Sequence, residues 1–189
     1  MTVQSSVSEK LWIKICATTN LEDALTSIAA GANALGFILA ASTRRVTPQT
    51  AAAIVASLPG HIEKVGVVVN ESPQRLADLA DEIGLTTLQL HGDEASEQLP
   101  DYRRALPGRK IIKTLQAREF LVEPDKLAGY LRERDSINAI LLEAEDTNPR
   151  ASALYKKAGY ECFGRRLLTK SLNPEAGYGV ASLRITKSE

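Results

Sequence analysis

KVGVVVNESPQRLADLADEIG, residues 64–84, decides the fold class. Its opening, Lys64 to Val69, is a short run rich in β-branched residues, the composition of a strand covered on both faces. An amphipathic segment follows from Ser72 to Ile83. Ser72 offers an N-cap oxygen, Pro73 suits the first helical position, and Gly84 supplies the stop. One strand joined in this way to one helix is a βα unit, and the same alternation extends in both directions.

Upstream, Leu11 to Cys16 reads as a strand and Asn20 to Ala30 as its helix, with Asn20 as cap, Glu22 and Asp23 in the first turn and Gly31 as terminator. Ala34 to Leu39 and Pro48 to Leu58, capped by Thr47, form the second unit. Downstream, strands are expected at Thr86 to His91, Lys110 to Leu115 and Ile137 to Leu142. Helices are expected at Asp93 to Leu106 and Pro124 to Arg134. Asp93 and Glu94 read as the acidic start of the first of these. Units recurring at roughly 25-residue intervals predict an α/β protein whose parallel sheet closes as a (β/α)8 barrel.

The rhythm weakens past Glu143. Arg150 to Ala158 could form a helix, and Tyr160 to Leu168 and Tyr178 to Ile185 two strands. Asn173, Pro174, Gly177 and Gly179 leave little room for a helix between those strands. The expectation is a barrel that is compact or incomplete in its last units. Met1 to Lys10 reads as a flexible tail, and residues 11–189 as one barrel domain with an atypical segment at 144–189.

Bulk properties narrow the function. Lysine plus arginine number 23 and aspartate plus glutamate number 23, so no net charge points to nucleic acid or an anionic membrane. Two cysteines, Cys16 and Cys162, are too few for a disulfide framework and fit free thiols in a cytoplasmic protein. No stretch is apolar for long enough to span a bilayer. Small-molecule chemistry is the default, with the oligomeric state open.

A barrel of this type holds its site at the C-terminal ends of the strands. Cys16, Arg44, Asn70, His91 and Glu143 fall there or soon after. Each has a plain alternative: a small buried hydrophobe for Cys16, solvated surface for Arg44 beside Arg45, a structural histidine for His91, and an acidic loop for Glu143 with Glu145 and Asp146.

The motifs around these residues sharpen the choice. Lys14-Ile15-Cys16-Ala17-Thr18-Thr19-Asn20 resembles the K-I-C-G-x-T-N opening of phosphoribosylanthranilate isomerases. Gly31 to Ile38 is similar to their G-A-D-x-x-G-F-I, Ser42 to Val46 to S-x-R-x-V, and Val65 to Asn70 to V-G-V-F-x-N. Leu88-Gln89-Leu90-His91-Gly92-Asp93-Glu94 reproduces L-Q-L-H-G-D-E unchanged. The resemblance covers about residues 11–143. It implies the Amadori rearrangement of a phosphorylated small molecule, N-(5-phosphoribosyl)anthranilate, in tryptophan biosynthesis, without metal or other cofactor. On that resemblance Cys16 is the catalytic base, Glu143 stands where the family has its aspartate acid, Arg44 engages the substrate carboxylate, and His91 lines the pocket. A thiol whose ordinary pKa is about 8.5 suits proton transfer near neutrality.

Two departures accompany the likeness. The family's G-G-x-G and A-G-G-L phosphate elements have no counterpart, since the chain contains no G-G pair, and Ala17 replaces the glycine after the cysteine. Leu168 to Glu175 faintly resembles L-A-G-G-L-N-P-E, which would make Lys170 or Ser171 an alternative phosphate contact. Glu143 to Tyr160 is similar to the end of a GNAT-type acetyltransferase, but the pyrophosphate-binding loop that precedes it in that family is absent. Three readings follow: an active isomerase, a catalytically impaired barrel that only binds, and a CoA-dependent transferase.

Overall fold

The computed structural model describes residues 11–116, 124–144, 166–171 and 179–183. The expected helix at Arg150 to Ala158, the N-terminal tail and Cys162 lie outside them. Among the described residues the elements are β1 (Leu11–Cys16), α1 (Leu21–Ala29), β2 (Ala34–Ile38), α2 (Pro48–Ala56), β3 (Glu63–Val68), α3 (Pro73–Ile83), β4 (Thr87–Leu90), α4 (Leu99–Ala105), β5 (Lys110–Gln116), α5 (Pro124–Arg132), β6 (Ala139–Ala144), β7 (Arg166–Ser171) and β8 (Gly179–Leu183).

The helix starts are set locally. Asn20, Thr47 and Ser72 are extended in backbone and accept the N–H of Asp23, Thr50 and Arg75 respectively, each satisfying a donor that the first turn leaves free. Gly84, at φ 79°, closes α3 in the left-handed region where a side chain would be strained. Two helix limits differ from the sequence reading. α2 ends at Ala56 rather than Leu58, because Pro59 disfavours helical backbone in the residue before it. α4 begins at Leu99, preceded by a 3-10 turn at Ser96–Gln98, rather than at Asp93. A helix starting at Asp93 would carry Pro100 in its interior, without an N–H to donate, whereas a start at Leu99 places Pro100 in the first turn. Asp93 and Glu94 therefore precede the helix.

The eight strands close into one barrel in sequence order. β1 to β6 run parallel, and β8 joins β1 in parallel. β7 is reversed against both β6 and β8. Residues 172–178 are all that separate β7 from β8, and a parallel pair needs a crossover of about a dozen residues or more. Compactness is thus achieved by inverting one strand, and the sheet keeps no free edge. The inversion corrects one expectation. Ser171 pairs in register with Ala139, and Lys170 with Gly179, at the N-terminal ends of β6 and β8. Neither residue stands at the mouth where a phosphate contact was expected.

Alternation along the strands sorts side chains into two cores. Outward, Leu35, Phe37, Leu88, Leu90 and Ile111 pack with Leu76, Leu79, Leu99 and Tyr130 from the helices, all buried. Inward, Trp12, Ala34, Val65, Ile112 and Leu141 fill the barrel floor. Burial of each large apolar side chain contributes about 1.5–3 kcal/mol. This floor seals one end of the lumen and leaves the other end as a cleft.

Candidate active site

The cleft has a volume of about 180 Å³ and opens at the C-terminal ends of the parallel strands. Lys14 and Cys16 line it from β1, Gln89 from β4, His91 just past it, and Glu143 from β6. The period of two explains the pairs: residues two apart on a strand share a face, so Lys14 accompanies Cys16 and Gln89 accompanies His91.

Cys16 is a free, half-buried thiol. A Cβ at Gly36 on the neighbouring strand would lie 3.0 Å from its Sγ and 3.2 Å from Lys14 Nζ, so the glycine leaves the space that both groups occupy. The loop after Cys16 turns through Ala17 at φ 68°, a left-handed conformation costing an alanine roughly 1–2 kcal/mol. Glycine adopts it freely, which accounts physically for the K-I-C-G pattern and makes Ala17 a strained replacement. Beyond it, Thr18 N–H donates to the Gly36 carbonyl at 2.9 Å and ties the loop to β2.

Across the cleft, His91 Nε2 lies 3.4 Å from Glu143 Oε2. Gln116 Nε2 donates to the same carboxylate oxygen at 2.8 Å. Gln89 Nε2 sits 3.0 Å from His91 Nδ1 and 3.0 Å from Thr114 Oγ1. His91 is thus held by the Gln89 side chain at Nδ1 and presents Nε2 to Glu143. The Gln89 side chain orients the imidazole, and the Glu143 carboxylate meets both Gln116 and His91.

Arg44 is half-buried on the loop after β2 and is not part of the cleft wall, which runs through Ala40, Ala41 and Ser42. Ser42 Oγ accepts the Arg44 N–H at 3.2 Å, and Val46 N–H returns to the Ile38 carbonyl at 2.9 Å, so the loop folds back beside the mouth. Cys16, His91 and Glu143 thus converge on the cleft, and Arg44 lies on the loop that continues from its wall.

Asn70 and the acidic pair after His91 have a structural role. Asn70 adopts φ 54°, and its Oδ1 accepts Asp93 N–H at 2.7 Å. Glu94 is buried at 2 % exposure instead of opening a helix. Its carboxylate accepts Asn70 N–H at 2.9 Å, Gly92 N–H at 3.1 Å and Lys113 Nζ at 2.7 Å, joining the loops after β3 and β4 to β5. Tyr130 from α5 donates to the Glu94 carbonyl at 2.8 Å, and Tyr102 from α4 to the Glu71 carbonyl at 2.7 Å. Burial, then the Glu94 and Glu71 carboxylates, push the Tyr102 hydroxyl above the usual tyrosine range. The clamp holds the backbone on either side of His91.

Lys14 and Gln89 were not singled out from the sequence, although each stands two residues before one that was. Among the described residues no group of three or more His, Cys, Asp or Glu side chains could hold a metal ion, and no helix is long and apolar enough to cross a membrane.

Residues 13–146 match the family model described as N-(5'phosphoribosyl)anthranilate (PRA) isomerase. The chain is 42% identical over 134 residues to the N-(5'-phosphoribosyl)anthranilate isomerase of Pelobacter propionicus, a match covering 70% of this chain and 58% of that protein. It is 40% identical over 136 residues to the Synechococcus enzyme of the same name, again covering 58% of it. The chain therefore spans about 58% of the length of these relatives. A crystal structure of phosphoribosyl anthranilate isomerase in complex with reduced 1-(o-carboxyphenylamino)-1-deoxyribulose 5-phosphate is similar at a TM-score of 0.61 and 34% identity, covering 72% of this chain and 66% of that one. The Thermotoga maritima enzyme is similar at 0.62 and 33%, covering 75% and 64%.

Proposed function

Because the chain belongs to the N-(5'phosphoribosyl)anthranilate isomerase family, we propose that it catalyses the Amadori rearrangement of N-(5-phosphoribosyl)anthranilate in the cytoplasm, as a step of tryptophan biosynthesis. The observation that carries this reading is the convergence of a thiol, an imidazole and a carboxyl on one cleft at the mouth of the parallel strands.

The reaction needs an acid to open the sugar ring and a base to move a proton from carbon. Glu143 is the acid, delivering a proton to the ring oxygen from a carboxyl oriented by Gln116 and His91. Cys16, on the strand across the barrel, is the base that takes the carbon-bound proton. The electron pair so released forms the enol double bond, and a proton returned to the neighbouring carbon yields the ketone. His91, oriented by Gln89, faces Glu143 through Nε2 and steadies the ionised carboxylate after ring opening. Arg44 at the border of the mouth meets the anthranilate carboxylate, for which a planar guanidinium is well matched. No redox change or cofactor enters this sequence.

Loss of substrate fluorescence on adding purified protein to phosphoribosylanthranilate tests the reading. Turnover that disappears in Cys16→Ala supports it. Absence of turnover, combined with a raised melting temperature in the presence of a reduced product analogue, would establish instead a barrel that binds without catalysing. Absence of both removes the family's ligand altogether.

A further inference from the structure

Lys14, Lys64 and Lys113 are the buried lysines among the described residues. Lys113 donates to Glu94 Oε2 and to the Gly92 carbonyl, each at 2.7 Å. Lys64 donates to the Pro59 carbonyl at 3.0 Å and the Gly60 carbonyl at 3.3 Å. Lys14, at 3 % exposure, has no acceptor within hydrogen-bond distance among the described residues. A lysine whose stem packs among apolar neighbours and whose ammonium meets a cleft is a costly way to fill a barrel, where an apolar side chain would serve better. The apolar floor of Trp12, Ala34, Val65, Ile112 and Leu141 lies next to it, and Ala34 is its register partner. Lys14 is a cleft-lining residue, so its charge faces whatever enters.

The position of that charge is defined by Gly36. Ammonium and thiol both approach the space where its Cβ would stand, which keeps them within roughly 6 Å of each other, close enough for a charge on one to act on a group at the other. We propose that Lys14 is the anion-recognition residue of the cleft, pairing with a negatively charged oxygen of the occupant beside Cys16.

In the reaction proposed above, on which this assignment of the oxygen rests, the oxygen belongs to the carbon that surrenders its proton to Cys16. When the enol becomes the ketone its O–H proton leaves, the neighbouring carbon gains a proton, and the oxygen passes through partial negative charge. The Lys14 N–H donates to it at that point.

The test reads charge selectivity at the thiol and does not depend on turnover. In a Cys162→Ser background, which leaves Cys16 as the one cysteine of the sequence, alkylation rates are measured with anionic iodoacetate and neutral iodoacetamide. Lys14→Met is expected to lower the iodoacetate-to-iodoacetamide ratio about tenfold, and Lys14→Arg to retain it. A ratio unchanged in folded Lys14→Met overturns the proposal. Should Lys14→Met fail to fold, acetate and acetamide are compared as competitors against iodoacetamide with Lys14 in place. Protection by acetate alone supports the proposal, and equal protection or none overturns it. With phosphoribosylanthranilate, Lys14→Met is expected to lower kcat about tenfold or more while KM changes little. A charge-selective thiol in a protein without turnover would refute the isomerase reading and leave the anion site standing.

Discussion

Glu143 and His91 face each other across the mouth of the barrel, Oε2 to Nε2 at 3.4 Å, with Gln116 holding the same oxygen at 2.8 Å. The carboxyl is carried there on β6, and Gln116 and His91 are placed to meet it. An acid in this position supplies its proton to the sugar oxygen, and a carboxamide cannot. Glu143→Gln is expected to lower kcat by a factor on the order of 10² to 10⁴ with KM nearly unchanged. Glu143→Asp withdraws the carboxyl by about 1 Å from Gln116 and His91, and a loss on the order of a hundred-fold is expected. Steady-state kinetics on the two variants checks both; an aspartate variant faster than the parent would show that the glutamate does not act from this geometry.

Ala17 provides a test beside the thiol that removes strain instead of adding it. Its φ of 68° costs an alanine roughly 1–2 kcal/mol, while glycine loses about 0.4–1 kcal/mol through the greater freedom of the unfolded chain. Ala17→Gly should therefore raise stability by about 0.5–1 kcal/mol, seen as a higher urea midpoint with unchanged m. A lowered midpoint would mean that the turn is not held in this conformation in solution.

The parts of this architecture legible in the sequence are those that depend on near neighbours. Asn20, Thr47 and Ser72 cap the N–H three residues on, so type and spacing sufficed to place α1, α2 and α3. Cys16, His91 and Glu143 could be placed together because each falls at the end of a parallel strand, and the C-terminal ends of β1, β4 and β6 share one mouth. What escaped depends on distant partners. Glu94 followed by a helical segment has the local appearance of a first-turn acid, and its true partner Lys113 lies 19 residues away on β5. The direction of β7 was equally hidden, since an apolar run reads alike in either sense and only the length of the connection to β8 decides.

The Glu94 and Lys113 pair is fully enclosed, with side-chain exposures of 1% and 0%. Lys113→Met leaves the carboxylate buried with only backbone N–H partners, and a loss of about 3–5 kcal/mol is expected. Adding Glu94→Gln removes the stranded charge, so the double variant should recover part of that loss. Urea unfolding of the two proteins checks the order, and a double variant less stable than Lys113→Met would assign the destabilisation to packing instead of charge. Because Glu94 also holds the N–H groups of Asn70 and Gly92, the single variant should show greater amide exchange in the loops flanking His91.

Tyr102 makes the same clamp sensitive to alkaline conditions. Its hydroxyl donates to the Glu71 carbonyl at 2.7 Å, and burial with the two nearby carboxylates raises its pKa above the ordinary value near 10. A raised pKa means that the folded state favours the neutral hydroxyl. The corresponding stability is fully present below the unfolded pKa and disappears as pH rises through the folded one. At neutral pH Tyr102→Phe should be less stable than the parent by about 1 kcal/mol, the worth of the lost hydrogen bond. Above about pH 10 the parent alone must bear the cost of ionising this hydroxyl or keeping it protonated, so the gap should shrink as pH rises. Urea midpoints of both proteins across that range measure the difference directly, with the remaining tyrosines common to both, and a gap that stays constant with pH would place the hydroxyl in contact with solvent.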